Sequence, residues 1–425
     1  MLRPAAEPSN HGPAGLSPGR HLRLDRPVSD SRANSRGDLR LALILGSLSA
    51  FGPITTDLYL PALPAAAGDL GASQPAIQAT LTACLIGLAV GQIFVGPLSD
   101  SIGRRRPMIA GMALFIVSSL LCAAAPSVYL LDAARLLQGA AGAAGIVLSL
   151  AIVRDLFDGV AAARMISALM AVGGVAPIVA PLAGAQLLRV TDWRGLFVVL
   201  GVLGVALLAV AVVSVPETLA AADRRPVGWG SVAGGFAALA RDRRFVALTL
   251  TGGLAFAAMF AYISTSAFVF QSHYGYSESE FSLVFAVNAV GLLSTNIVAG
   301  RLVGRVPVTT LVRIGLAGMT IGAVASLAAL AAAQPPLVIA SLFVTVSSLG
   351  LVMPTVSALA LDDHGDLAGT ASAALGAARM VLGGVAALFA GIGGNPVVLG
   401  TVMVLCALGA AASFVIAKRT PTASR

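Results

Sequence analysis

Residues 195–215 read GLFVVLGVLGVALLAVAVVSV, twenty-one residues without a charge, an amide or a proline. A helix rises about 1.5 Å per residue, so about 20 such residues cross the ~30 Å hydrocarbon core of a bilayer. The run is apolar all round and has no face to offer water, which makes it a membrane span or a deeply buried core helix. Recurrence decides between the two, because apolar runs of about 18 to 25 residues return from Leu41 to Ile416. They place helices at Leu41 to Leu63, Gln74 to Gly96, Met108 to Ala125, Val128 to Ile152, Ile166 to Leu188 and Gly195 to Val215. A second set follows at Phe245 to Phe268, Phe281 to Ala299, Leu311 to Ala333, Leu337 to Leu359, Gly369 to Ile392 and Val397 to Ile416. Barrel strands would be shorter and would alternate in polarity.

The chain therefore reads as an all-α polytopic membrane protein of twelve transmembrane helices in two six-helix bundles, 41–216 and 245–417. A polar stretch, 217–244, links them; tails at 1–40 and 418–425 complete the chain. The first tail is rich in Pro, Ser and Arg and is expected to be disordered. Its apolar run starts too late for a cleavable signal peptide. Composition agrees: 57% of the 425 residues are hydrophobic, 11% are charged and the mean hydropathy is +0.90.

A net charge of +8 would suit nucleic acid, but the excess sits in short segments between apolar runs, as a topology signal does. Counting alternate loops, one side holds Arg3 to Arg40, Arg104 to Arg106, Arg154, Arg164, Arg224, Arg225, Arg241, Arg243, Arg244, Arg301, Arg305, Arg313 and Lys418 to Arg425. The other holds Arg189 and Arg194. Both termini are thus expected in the cytoplasm of an inner (cytoplasmic) membrane, with no nucleic-acid partner.

Cys84, Cys122 and Cys406 fall inside apolar runs, which leaves no disulfide scaffold and no metal site. His11, His21, His273 and His364 lie in tails or loops, so no histidine serves a relay or a hydrolase at mid-membrane. A channel would need a selectivity filter, and none is visible. Carboxylates remain.

Asp57 stands in TDLYLPALP, residues 56–64. An ionised acid at this depth is costly and should face a cavity or a partner, which suits it to take up and release a proton; the alternative is a neutral acid in an interhelical hydrogen bond. Arg135, in the fourth helix, cannot shed its proton and needs a carboxylate, carbonyl groups or water. Asp57 is the obvious partner, and Asp132, one turn away, competes.

GPLSDSIGRRRP, residues 96–107, follows the second helix, and Gly300 to Arg305 keep the glycines and an arginine of that pattern. This is the faint repeat expected of pseudo-symmetric bundles. Gly96, Asp100, Gly103, Arg104 and Arg105 suit a tight turn whose charges lock neighbouring helix ends. In the fifth helix Pro177, Pro181 and Gly184 lie among small residues, favouring a shaped interface between bundles.

Together these patterns resemble the major facilitator superfamily, and within it the bicyclomycin and chloramphenicol (Bcr/CflA) branch of drug:proton antiporters. GPLSDSIGRRRP is similar to the superfamily loop signature, Arg135 with Gln138 and Gly139 to its helix 4 signature, and APIVAPLAG, residues 176–184, to an antiporter motif. Trp193, Arg194, Phe197 and the entry Gly369 to Ser372 narrow the branch. The resemblance implies the major facilitator fold and proton-coupled efflux of amphenicol- or bicyclomycin-like drugs. It implies that Asp57 exchanges the proton with help from Arg135, and that Asp100 faces the amino end of helix 11. A sugar, an amino acid or an endogenous natural product is the alternative cargo. No cofactor is expected, the proton gradient supplying the drive, and the chain is expected to act as a monomer. Ala180 and Ala185 depart from the motif's glycines, and Arg379 replaces an expected uncharged polar residue in helix 11. Tyr59, Gln138, Tyr262, Asn288 and Arg379 are candidate cavity residues, with Arg379 expected to disfavour cationic cargo.

Overall fold

The structure, a computed structural model, describes residues 34–224, 228–362, 364 and 367–420. Among the described residues, twelve helices are long and apolar enough to cross a membrane. Spans 1 to 6 are Arg40–Asp69, Gln74–Ile102, Arg105–Ala123, Val128–Leu156, Gly159–Leu187 and Trp193–Ser214. Spans 7 to 12 are Arg243–His273, Glu278–Leu302, Val308–Ala331, Pro335–Asp362, Gly369–Ala390 and Pro396–Arg419. Residues 1–33, most of the expected disordered tail, lie outside the described residues; Asn34–Asp57 is helical.

Each expected helix has its span, but several ends move outward. Span 2 runs on from Gly96 to Ile102, span 4 to Leu156, and span 5 begins at Gly159. Hydropathy detects the length matched to lipid, whereas a helix continues into the polar zone wherever its backbone stays bonded. The linker contains a helix, Trp229–Arg241, that the search for long apolar runs passes over.

Local chemistry fixes where spans begin. Ser277 and Glu280 form a reciprocal cap at span 8, and Asp242 accepts from Arg244 N (2.8 Å) and Phe245 N (3.1 Å) to open span 7. Between spans, glycine lets backbones touch. A Cβ on Gly139 of span 4 would overlap the Cys84 carbonyl of span 2, and one on Gly350 of span 10 would overlap the Leu292 carbonyl of span 8. The same close crossing thus recurs in both halves. So does the turn after spans 2 and 8, where Gly103 has φ +96° and Gly304 φ +87°.

An even number of spans puts both ends of the described chain and the linker on one face, here the terminal face, opposite the far face. Hydrogen bonds tie the bundles together toward the far face, among them Gln271 Nε2 to Pro61 O (3.0 Å) and Ser282 Oγ to Pro181 O (3.0 Å). Toward the terminal face the halves are separated by a cavity of about 500 Å³. Gln92, Asp100 and Arg154 line it from one bundle, Thr370 and Ser372 from the other, with Phe236 of the linker helix.

Candidate functional site

Span 1 is broken immediately after Asp57. Its α-helix ends at that residue, a 3₁₀ turn covers Leu60–Ala62, and a short helix resumes at Leu63–Asp69. Pro61 and Pro64 cause the break, since neither can donate to a carbonyl four residues back. Asp57 is 6% exposed, and its side chain accepts a hydrogen bond from Thr56 Oγ1 (3.2 Å), which also reaches Pro53 O (2.8 Å).

Arg135 answers the same break by another route. The expected pairing of Asp57 with Arg135 is absent here: NH1 of this fully buried guanidinium donates to Thr55 O (3.0 Å) and Gln138 Oε1 (2.7 Å). The Thr55 carbonyl lies in the last turn of a helix, whose partial negative charge suits a cation. The guanidinium carbon lies 5.5 Å from the Tyr59 ring centroid and 5.6 Å from that of Phe197, so two aromatic faces supply further compensation. Gln138 in turn donates to Ser119 Oγ (2.8 Å). Asp132 is half-buried one turn away, and its Oδ1 has no hydrogen-bond partner among the described residues.

Asp57 and Thr56 open onto a central cavity of about 210 Å³ between the bundles. Leu85, Leu88 and Ile146 face it from the first half; Phe256, Phe260 and Phe285 face it from the second. Tyr262 and Asn288 also line it, joined by Asn288 Nδ2 to Tyr262 Oη (2.8 Å), and Asn288 Oδ1 is enclosed without a partner among the described residues. Among the described residues, Asp57 is the one carboxylate in the lining, and no Lys, Arg or His faces it. Pro177 of span 5 lines the cavity, Pro181 offers its carbonyl to Ser282, and Gly184 lies against the Leu58 carbonyl at the break.

Three candidates are not in that lining. Tyr59 is fully buried against Phe197, ring centroids 5.0 Å apart, because the broken helix turns it inward. Gln138 is consumed by Arg135 and Ser119. Arg379 reaches Ser357 Oγ of span 10 (2.5 Å) beside Gly252 of span 7, and its neighbour Met380 faces the cavity instead. A flexible guanidinium finds a hydroxyl inside its own bundle, so the expected repulsion of cations loses its basis.

At the terminal face the expected loop is largely helix. Gly96 and Asp100 belong to span 2, and the turn itself is Gly103 and Arg104. Arg104 NH1 contacts Asp100 Oδ1 (2.5 Å), and its Nε donates to Asp155 Oδ2 (2.9 Å) at the end of span 4. Arg105 NH2 donates to Val212 O (2.7 Å) near the end of span 6. Glu217 accepts from Arg104 N (2.8 Å) and Arg105 N (3.3 Å). Asp100 lines the terminal cavity together with Gly369 and Thr370, which open span 11.

Asp155 and Glu217 are not marked by the sequence patterns above. The signals were an acid beside the counted Arg154 and a PET tripeptide just after span 6. Burial opposes the Glu217 carboxylate, yet the N–H groups of Arg104, Leu219 and Arg105 and the charge of Arg224 hold its pKa below the usual 4.5. A depressed pKa means that its contribution is complete at neutral pH and is lost only as pH falls through that lower value.

Alanine at Gly103 would have to hold a left-handed φ, at about 1 kcal/mol or more, and its Cβ would meet the Glu217 carboxylate. Gly103→Ala and Asp100→Asn are expected to insert and to bind substrate like the parent while losing most flux in vesicles. Equilibrium binding to purified protein beside flux checks this. Loss of binding itself would place these residues at the substrate and not in the lock.

The family model described as Major Facilitator Superfamily matches residues 43–388. The MFS-type transporter YdgK of Bacillus subtilis, itself uncharacterized, is 38% identical over 386 residues, 89% of this chain and 96% of that protein. A bicyclomycin resistance protein homolog of Haemophilus influenzae is 30% identical over 345 residues, 81% of this chain and 86% of its own length. Among solved structures, a bacterial homolog to the human lysosomal transporter Spinster, in an inward-facing and occupied conformation, matches with a TM-score of 0.71. That likeness, at 18% identity over 92% of this chain and 98% of the other, is one of fold. By sequence and by architecture alike, this chain belongs to the Major Facilitator Superfamily.

Proposed function

We propose that the protein exports small amphipathic drugs, amphenicol- or bicyclomycin-like antibiotics among them, across the inner membrane in exchange for protons. The observation that carries this reading is one acid, Asp57, at a helix break on the wall of an otherwise apolar and aromatic central cavity. An amphipath gains by burying apolar surface against Phe256, Phe260 and Phe285, while Asn288, Tyr262 and Asp57 offer a few directed polar contacts. A sugar or an amino acid would leave many polar groups unmatched in that lining, at about 1–3 kcal/mol each, which disfavours the alternative cargo. The bicyclomycin resistance homolog of Haemophilus influenzae is consistent with a drug cargo.

In this reading the terminal face is cytoplasmic, because the arginines of 104–106, Arg154, the linker and Arg301 to Arg313 all belong to it. The cavity between the bundles then faces the cytoplasm, and drug enters from there. Protons from the other side compete for Asp57, with Arg135 biasing the helix that carries it.

Expression in an efflux-deficient bacterium, challenged with amphenicols, bicyclomycin-like compounds, cationic dyes and sugars, tests the reading. Raised tolerance to one of the drug classes, abolished when the proton gradient is collapsed, is the expected result. Export of sugars alone, or drug tolerance indifferent to the gradient, would overturn it. A fusion at Arg425 tests orientation, since an active alkaline phosphatase there would invert every loop assignment.

A further inference from the structure

The far face is closed by a ladder of buried polar contacts that the signatures do not include. Gln78, fully buried in span 2, donates from Nε2 to Ser264 O (3.0 Å) and Thr265 Oγ1 (3.2 Å) of span 7 in the other bundle. One turn along span 2, Thr82 Oγ1 donates to Gly384 O of span 11 (3.1 Å). The partners are shaped for this contact. A Cβ on Gly391, the capping residue that ends span 11, would overlap the Gln78 carboxamide oxygen, and one on Gly384, seven residues earlier within the span, would press on the Thr82 methyl group. Span 7 departs from α winding just beyond the contact, at the π-helical stretch Phe268–His273. There Phe268 N bonds Thr265 O, and Ser264 O, its ordinary α-helical acceptor, takes the Gln78 amide.

We propose that Gln78, assisted by Thr82, is the positioning residue that holds the far side of the substrate path shut. The inference rests on the chain being a transporter and on no particular cargo. A path that opens only toward the terminal face transports nothing, so spans 2, 7 and 11 must part. In the shut state Gln78 Nε2, Thr82 Oγ1 and their acceptors are dry and satisfied by one another, while Gln78 Oε1, enclosed without a partner among the described residues, offsets part of that gain; in the open state water serves them all. Removing the Gln78 donors therefore costs the shut state alone, where Ser264 O and Thr265 Oγ1 lose their inter-bundle partner. Gln78→Leu should raise the open-to-shut ratio of the far side by about tenfold, and Thr82→Val should raise it less.

The test uses the full chain in nanodiscs, with Cys84, Cys122 and Cys406 replaced by alanine. Spin labels at Tyr129→Cys and Gln334→Cys report the far face; labels at Arg106→Cys and Arg313→Cys report the terminal face. Distance distributions are recorded without added ligand. The expected result is growth of a longer far-face distance in Gln78→Leu with reciprocal shortening at the terminal face, and an intermediate shift in Gln78→Asn. Thr82→Val, nearly isosteric, keeps the proposal testable should Gln78→Leu fail to fold, and must move the same population the same way. Unchanged far-face distances in folded variants, or loosening of both faces together, would overturn the proposal. Neither readout depends on cargo, so failure of the drug panel leaves this result standing and the reverse also holds.

Discussion

Asp57→Asn protein in inverted vesicles should exchange substrate by counterflow at the parent rate and accumulate none of it when a proton gradient is imposed. Asparagine keeps the shape of a protonated aspartate at the edge of the cavity and can still accept from Thr56 Oγ1. What it removes is the one carboxylate that the described residues place in the cavity lining. A gradient of about 2 pH units carries about 2.7 kcal/mol per proton, enough for about a hundredfold accumulation at one proton per substrate. The parent should approach that ratio, and Asp57→Asn should stay near unity. Asp132→Asn, measured at matched expression in the same vesicles, should keep substantial coupling, because Asp132 is not among the residues that line the cavity and shares one helix with Arg135. The assay uses whichever substrate the export panel identifies. Full accumulation by Asp57→Asn with loss in Asp132→Asn would move the proton to span 4.

The number and order of spans were legible because lipid imposes one strong condition, about 20 apolar residues per crossing, which residues 195–215 meet without exception. Asp57 was legible for the complementary reason: a charge within such a run is expensive enough to stand out. Pairing was not legible. Asp57 and Arg135 satisfy a charge count, yet the arginine goes to the Thr55 carbonyl, because Pro61 and Pro64 break the span and the guanidinium can meet the end of a helix. A backbone carbonyl carries no mark in the sequence. Arg379 failed similarly, since its hydroxyl partner Ser357 lies 22 residues away on another span. Gln78 carried no mark because span 2 holds three glutamines, Gln74, Gln78 and Gln92, and an amide in a long apolar helix looks the same whether it faces its own bundle or the other one. The helix Trp229–Arg241 escaped because a helix lying outside the bilayer core needs no long apolar run.

Arg135→Lys should separate charge from geometry in the proton step. Lysine keeps the positive charge but presents a compact ammonium in place of a planar fork. It cannot reproduce a guanidinium flanked by the rings of Tyr59 and Phe197 while bonded to both Thr55 O and Gln138 Oε1. Each lost bond to a charged group is worth about 1.5–3 kcal/mol, so proton-driven transport should fall by at least tenfold. Arg135→Leu goes further. It removes the donor, leaves the Thr55 carbonyl and Gln138 Oε1 buried without it, and should lower the melting temperature of the purified protein as well as abolish coupled transport. The contrast carries the argument, because a purely structural arginine would show transport falling only in step with the amount of folded protein. The expected pattern is instead a folded Arg135→Lys protein, a few degrees below the parent in melting temperature and close to it in counterflow per folded molecule, whose driven uptake falls at least tenfold. Parental uptake at every pH in Arg135→Lys would show that a positive charge near the break is sufficient. The carbonyl bond and the aromatic faces would then have no part in coupling.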